Sequence, residues 1–595
     1  MKPSNELSKI LLEFSIYHSI KGDAFKPRAY ELASESVAGL GDDIKQTWQT
    51  GGIKALTALP GIGESIAEKI DEFYHTGKIK AYQKIKKEIP VNMYELSQIE
   101  GLGPKHIAEL WKFLKIKNIN NLKKALQSGK LKNLPGWGAK SEQKISRRLN
   151  LYEQESNRML LGDILPIADE IITCISRIKG VKRCSYAGSI RRRQETCGDI
   201  DLIATADNPK KIINAFCALP QIKSVHEQGA TKASVRLKIG IDADIRVVKD
   251  RVYGAALQYF TGDKRHNVLL RQYAQKKGFT LNEYGLFKLK RSDAGQATRD
   301  KRRRTNDAGL NSVACKTEEQ IYSKLGMQTP PPELRVGGDE MEAAQKHKLP
   351  KLIDYGSVQG DLQVQSDWSD GNTSIAQLAK SAKTLGLKYI AITDHTKSLT
   401  IANGLDEKRL MRQGHEIDKL NKKLRGFKIL KGTECDILKD GKLDLSDTAL
   451  SKLDFVGISI HSHFNLSEKD QTARVIKAMS NPHVHCLFHP TCRLIGKREA
   501  IKLNMDSIIS AAKKFNVLLE INCMPERMDL NDRWVRAAIR AKVKLVINTD
   551  AHSPDHFNLL PIGESIARRG WAETSDILNT KSVKQLQKFL SRKHI

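Results

Sequence analysis

The sequence predicts a multidomain chain of mixed class: a helical N-terminal part, an α+β middle built on a small sheet, and an α/β C-terminal part that alternates strands with helices. Three observations predict it. The chain has 595 residues, more than a single hydrophobic core organises, so three or four domains are expected. A glycine-turn pattern recurs three times before residue 150. From about residue 359, apolar runs repeatedly end in aspartate, glutamate or histidine.

Composition narrows the partners. The formal net charge is +31, and such an excess on a folded chain favours a polyanion, most often nucleic acid. A hydrophobic share of 40% fills several cores and argues against a disordered chain. No run of about 18 apolar residues is present, so no membrane span is expected. Met1 to Lys21 reads as a charged amphipathic helix rather than a signal peptide. The nine cysteines are scattered without a Cys-x-x-Cys pair, which fits a reducing cytoplasm and argues against a disulfide scaffold or thiolate zinc site.

In residues 1–150 the repeated pattern is Leu59-Pro60-Gly61-Ile62-Gly63, Ile99-Glu100-Gly101-Leu102-Gly103 and Leu134-Pro135-Gly136-Trp137-Gly138. Each copy leads into a polar helix start. Glycine permits a positive φ and a close backbone approach. The helix that follows presents free N–H groups and the positive end of its dipole, a cradle for phosphate that reads no sequence. Gly61, Gly63, Gly101, Gly103, Gly136 and Gly138 are therefore candidate contacts to a nucleic-acid backbone. The three copies resemble helix-hairpin-helix motifs of DNA-binding proteins.

The middle of the chain turns to strands, such as Ser234 to Ile239. Its most specific segment runs from Gly188-Ser189-Ile190-Arg191-Arg192-Arg193 to Gly198-Asp199-Ile200-Asp201-Leu202. Alternation along a strand puts Asp199 and Asp201 on one face and Ile200 and Leu202 on the other. Two like charges side by side repel, and a divalent cation with a preference for oxygen, such as magnesium, resolves the repulsion. A second strand, Ile241-Asp242-Ala243-Asp244-Ile245-Arg246, supplies a third carboxylate. Three carboxylates on adjacent strands suit a two-metal site, with the glycine–serine turn and upstream arginines placed for phosphates. Residues 291–317, with the Lys301-Arg302-Arg303-Arg304 run, read as a polar loop interrupting a sheet.

This middle segment resembles the nucleotidyltransferase palm of family X DNA polymerases, the family of polymerase beta. The resemblance implies that Asp199, Asp201 and Asp244 hold two magnesium ions. It implies that Gly188, Ser189, Arg192, Gly198 and Arg158 bind the triphosphate, and that Tyr259, Phe260 and Gly262 line the incoming sugar. Asn267 and Arg271 match readers of the nascent base pair, and Arg246 accompanies the third aspartate toward DNA. The first glycine motif, with Ile66-Ala67-Glu68-Lys69-Ile70, is similar to the family's small lyase domain. Lys69 matches its Schiff-base lysine, although Ser65 stands where the family keeps a supporting lysine. The implied domains are a lyase-like helical domain at 1–90, fingers with two further hairpins at 91–150, the palm at 151–260 and a thumb at 261–326. A linker at 327–358 and a C-terminal domain at 359–595 complete the chain.

In that last part, strand ends carry Asp394-His395, Glu434, His461, His489 and Asp550 with His552. Carboxyl ends of parallel strands are where α/β barrels place chemistry. The segment resembles a polymerase and histidinol phosphatase (PHP) domain of barrel type, as many bacterial family X polymerases carry. Asp370, His395, Glu434, His461, His489, Asp550 and His552 match its ligands for manganese or zinc. Its opening His-x-His is replaced by Gln363-Val364-Gln365, and an amide is a poor ligand beside imidazole. The expected function is gap-filling DNA synthesis in repair on gapped or nicked duplex with dNTP, by a cytoplasmic monomer, with abasic-site lyase activity and an impaired 3′-to-5′ nuclease. The rival readings are a DNA-end nuclease or phosphoesterase working through the C-terminal domain, and a non-catalytic DNA-binding scaffold.

Overall fold

A computed structural model describes residues 3–40, 43–59, 61–99, 101–135, 137–156, 158–289 and 312–591. Gly136 and the Lys301–Arg304 run lie outside these residues. The chain divides into two compact units, Met1–Asn157 and Arg158–Ile595.

The first unit is helical. Its helices include Glu64–Thr76 and Pro104–Leu114, which start at Gly63 and Gly103. Gly61 and Gly101 hold φ of +77° and +96°, the region where a side chain is strained. In each copy the apolar residue between the glycines (Ile62, Leu102, Trp137) is buried. That residue anchors the turn in the core and leaves Gly61, Gly63, Gly101, Gly103 and Gly138 at its rim.

In the second unit, β1 (Met159–Leu160) pairs antiparallel with β3 (Thr196–Cys197). A five-stranded sheet is built from β2 (Val181–Tyr186), β4 (Asp199–Ala206), β5 (Ile222–Gln228), β6 (Lys232–Leu237) and β7 (Asp242–Val248), in the order β2-β4-β7-β6-β5. β4 and β7 run parallel and the other neighbours antiparallel. Helices Leu161–Ser176 and Pro209–Cys217 share a core with Ile200, Leu202, Val235 and Ile245. Burial of these residues turns the alternate ones, Asp199 and Asp201, to the opposite face. Next come helices Tyr253–Thr261 and Lys264–Lys276, the hairpin β8 (Phe279–Asn282) and β9 (Gly285–Lys288), and helix Glu318–Lys324.

Residues 327–358, read as a linker from their prolines and glycines, are packed. Met327, Leu334, Arg335, Met341, Ala344 and Ile353 are buried. Apolar side chains spaced through a Pro/Gly-rich stretch were enough to seat it.

The C-terminal part is a barrel of β10 (Gly360–Val364), β11 (Tyr389–Ile392), β12 (Lys428–Asp436), β13 (Phe455–Ser459), β14 (Cys486–Leu487), β15 (Leu518–Asn522) and β16 (Leu545–Asn548). Neighbours are parallel and follow chain order. A bridge between Val364 and Ala551 brings the first strand to the end of the last, so the barrel is nearly closed. Both faces of these strands are covered, which is why they read as continuous apolar runs. Among the described residues no helix is long and apolar enough to cross a membrane.

Candidate active site

The parallel register of β4 and β7 sets Asp201 beside Asp244 and Asp199 beside Asp242. Oxygens of Asp199, Asp201 and Asp244 lie within 4.8 Å of one another. Burial and then repulsion from Asp244 raise the Asp199 carboxyl. Burial, Asp199 and Asp244 push Asp201 up to about 7. These groups hold too much negative charge for the protein alone, the condition a pair of hard cations relieves. Asp242 differs: Arg236 lies 3.2 Å and His226 3.5 Å from its carboxylate. Asp242 thus has cationic neighbours of its own, while Asp244 is the carboxylate that groups with Asp199 and Asp201.

Gly188 adopts φ +54°, and a Cβ there would meet Asp201 Oδ2 at 2.1 Å. The turn can approach the carboxylates only without a side chain. It delivers Ser189, whose buried Oγ has the Cys197 thiol as its hydrogen-bonding neighbour. It also delivers Arg192, whose guanidinium donates to Thr261 O while its buried Nε stays unpartnered. Arg158 donates to Thr196 Oγ1 at 2.8 Å and approaches Gly198. A buried hydroxyl and an unpartnered guanidinium N–H beside a carboxylate cluster are groups that can bind a phosphate.

Helix Tyr253–Thr261 carries Tyr259 and Phe260, packed edge-on at 5.1 Å, and ends at Gly262. Asn267 fixes this end: its Nδ2 donates to Tyr259 O at 2.7 Å and its Oδ1 accepts from Gln258 Nε2 at 2.8 Å. Arg271 Nε donates to Asn267 O. Arg246 stacks over the Phe260 ring at 4.6 Å.

The barrel assembles a second cluster. Asp370, His395 and His552 converge, as do His395, Glu434 and His461. Glu434 is central: His489 Nε2 lies 2.9 Å from its Oε1 and His461 Nε2 3.4 Å. Against the cost of burial, His395 and its other histidine partners hold Glu434 well below the usual carboxylate range. Against burial again, Asp436 and Glu434 raise His461 to about 10. Asp550 lies 3.9 Å from His552, and the Arg527 guanidinium stands 3.6 Å from it.

The chain is similar to known proteins along its length. The helix-hairpin-helix domain matches residues 2–79, the DNA polymerase beta thumb residues 256–336, and the PHP domain residues 361–527. The "DNA polymerase/3'-5' exonuclease PolX" of Bacillus subtilis is 36% identical over 590 residues, 99% of each chain. The chain belongs to the family X DNA polymerases that carry a PHP domain. DNA polymerase lambda of Arabidopsis thaliana is 25% identical over 46% of this chain and 52% of its own. A probable phosphatase of Thermoanaerobacter is 30% identical over 30% of this chain and 73% of its own.

In this family X polymerase the PHP cluster departs from an open metal site. The Nε2 groups of Gln363 and Gln365 both donate to Glu434 Oε2, at 3.1 and 2.7 Å. Two N–H donors sit on the oxygen that a metal beside them would need. The two amides thus occupy Glu434 Oε2, while Asp370, His395 and His552, and His395, Glu434 and His461, each keep three ligand-capable atoms. In the N-terminal unit, Lys69 Nζ donates to Ser65 O at 2.8 Å and Ser65 Oγ at 2.9 Å. Burial first, then Lys26, lowers its pKa, against the carboxylates of Glu68 and Glu72. Ser65 thus takes a direct part in holding the lysine that it flanks.

Sequence reasoning missed the buried clasp behind the palm. Glu318 accepts from Arg191 at 2.6 and 2.9 Å and from Arg335. A Cβ at Gly254 would strike the backbone of Thr317 at 2.3 Å, so this joint closes only on glycine. No local pattern marks an ion pair between residues 127 apart in the chain.

Proposed function

We propose that this polymerase fills short gaps in duplex DNA during repair, with Asp199, Asp201 and Asp244 as the ligands of two magnesium ions. The observation that carries the reading is the meeting of three carboxylates from two strands, two of them raised by burial and mutual repulsion. When bound, such ions activate the primer 3′-hydroxyl and offset the charge of the triphosphate and its leaving group. The chain's own residues do the rest. The Gly188 turn brings its backbone against the triphosphate, Ser189 Oγ donates to a phosphate oxygen, and Arg192 and Arg158 neutralise its charge. Tyr259, Phe260 and Gly262 present backbone and ring to the sugar and exclude a ribose 2′-hydroxyl. Asn267 and Arg271 read the minor-groove edge of the new pair, and Arg246 follows the primer strand. Gly61, Gly63, Gly101, Gly103, Gly136 and Gly138 hold phosphates along the DNA.

Lys69 acts as an amine nucleophile on abasic sugar aldehydes, helped by burial that favours its neutral form. The PHP site is an impaired nuclease that keeps partial affinity for manganese or zinc through Asp370, His395 and His552. The substrates are gapped or nicked duplex and dNTP, and the enzyme works as a cytoplasmic monomer.

Primer extension on gapped DNA tests the central claim. Wild type extends, and Asp199→Ala and Asp244→Ala do not. Synthesis that survives either substitution removes the proposal.

A further inference from the structure

The stretch Arg193–Thr196 links the phosphate-binding turn to the first metal-facing aspartate, and it has almost no regular structure of its own. Arg193 sits at φ +54°, a strained value for a residue with a side chain. Within the palm, the stretch is held by Leu161 N donating to Glu195 O at 2.9 Å and by the two-residue β1–β3 pairing. Its outer side faces the PHP barrel. Arg493 clamps the Glu195 carboxylate in a fork, Nη2 to Oε1 at 2.7 Å and Nη1 to Oε2 at 3.1 Å. Side chains of this pair are only 15% and 21% exposed.

Arg493 is itself fixed from behind. Its Nε donates to Arg527 O at 2.8 Å and its Nη2 also donates to Met528 O. A second barrel arginine, Arg569, donates to Arg193 O at 3.2 Å while its other nitrogen pairs with Asp532 at 2.7 Å. Beside them the palm helix meets the barrel so closely that a Cβ at Gly162 would strike Pro525 Cγ at 2.3 Å.

We propose that Arg493 and Glu195 are positioning residues for nucleotide addition, through which the PHP barrel braces the palm's triphosphate turn. A bidentate, largely desolvated arginine–carboxylate pair is directional and strong. Placed three residues after Arg192 and four before Asp199, it fixes the turn where Ser189 and Arg192 must meet a phosphate. The barrel therefore has work in synthesis that is independent of metal binding in its own cluster. The inference rests on the reading of Ser189 and Arg192 as triphosphate ligands.

Single-nucleotide gap filling by the full chain tests it, with kcat and the dNTP KM measured separately. Arg493→Ala and Glu195→Gln each raise the dNTP KM on the order of 5- to 20-fold and leave kcat within about twofold. Combining them is no worse than Arg493→Ala alone, because that substitution already removes the contact that Glu195→Gln weakens. Arg493→Lys, which keeps the charge without the fork, falls between wild type and Arg493→Ala. An unmoved KM in the single variants, or full additivity in the double, overturns the brace. Thermal unfolding of each variant separates a local change from loss of fold, and if Arg493→Ala does not fold, Arg493→Lys and Glu195→Gln still decide. Failure of the palm reading shows differently, as synthesis persisting in Asp199→Ala.

Discussion

Gln365 donates its side-chain amide to Glu434 Oε2 at 2.7 Å, and Gln363 donates to the same oxygen at 3.1 Å. The carboxylate at the centre of the barrel cluster is thereby satisfied on one side by protein hydrogen bonds.

Restoring imidazole there should restore metal. The double variant Gln363→His, Gln365→His is expected to bind manganese at least about tenfold more tightly than wild type in equilibrium dialysis. It should also gain end trimming that His395→Ala removes. Manganese-dependent trimming by the wild-type chain, abolished by His395→Ala and indifferent to Asp199→Ala, would show that the glutamines do no harm.

The two candidates for the third palm ligand are separable. Asp244→Ala should lower gap filling on the order of 10³-fold. Asp242→Ala should cost less than about tenfold, since Asp242 is already paired with Arg236 and His226. Equal losses in single-turnover assays would return the assignment to both residues.

Lys69 should be trapped on abasic DNA by borohydride, and the yield should rise with pH as more of the amine is neutral. Lys69→Ala should abolish the adduct. Ser65→Ala should weaken trapping less, because it removes only one of the two bonds holding the amine. Undiminished trapping in Lys69→Ala moves the nucleophile elsewhere.

The Glu318 clasp carries a pH signature. Against burial, Arg335 and Arg191 depress the Glu318 carboxyl to about 2. A depressed folded pKa means the stabilisation is complete above the unfolded value near 4.5. It is lost as pH falls toward 2. Glu318→Gln should therefore cost about 3 kcal/mol near neutrality, and the deficit should shrink between pH 4.5 and 2. Denaturant titrations across that range check it, and a deficit independent of pH would mean that shape, not charge, holds the joint.

Much of this protein was legible before folding was considered. The glycine repeats placed Gly61 and Gly101 at positive φ because no other residue adopts that backbone cheaply. Alternation along Asp199 to Leu202 separated the carboxylates from the core because strand side chains must alternate. The apolar runs of the barrel showed themselves because strands covered on both faces carry little else. The segment 327–358 was the exception. Its Pro330-Pro331-Pro332 and Gly337-Gly338 runs suggested a linker, while burial was decided by Met327, Leu334, Arg335 and Met341.

Residue types and spacings by themselves pointed to the family, to the Asp199 and Asp201 pair and to the Gln363-Val364-Gln365 strand, since each of those motifs is written within a few neighbouring positions. Only the tertiary structure decided that Asp242 is occupied by Arg236, that both glutamines turn their donors onto Glu434, and that Arg493 reaches Glu195 across 298 residues of chain. Hydrogen bonds and ion pairs act over about 3 Å of space, and separation along the chain carries no record of which groups folding will bring that close.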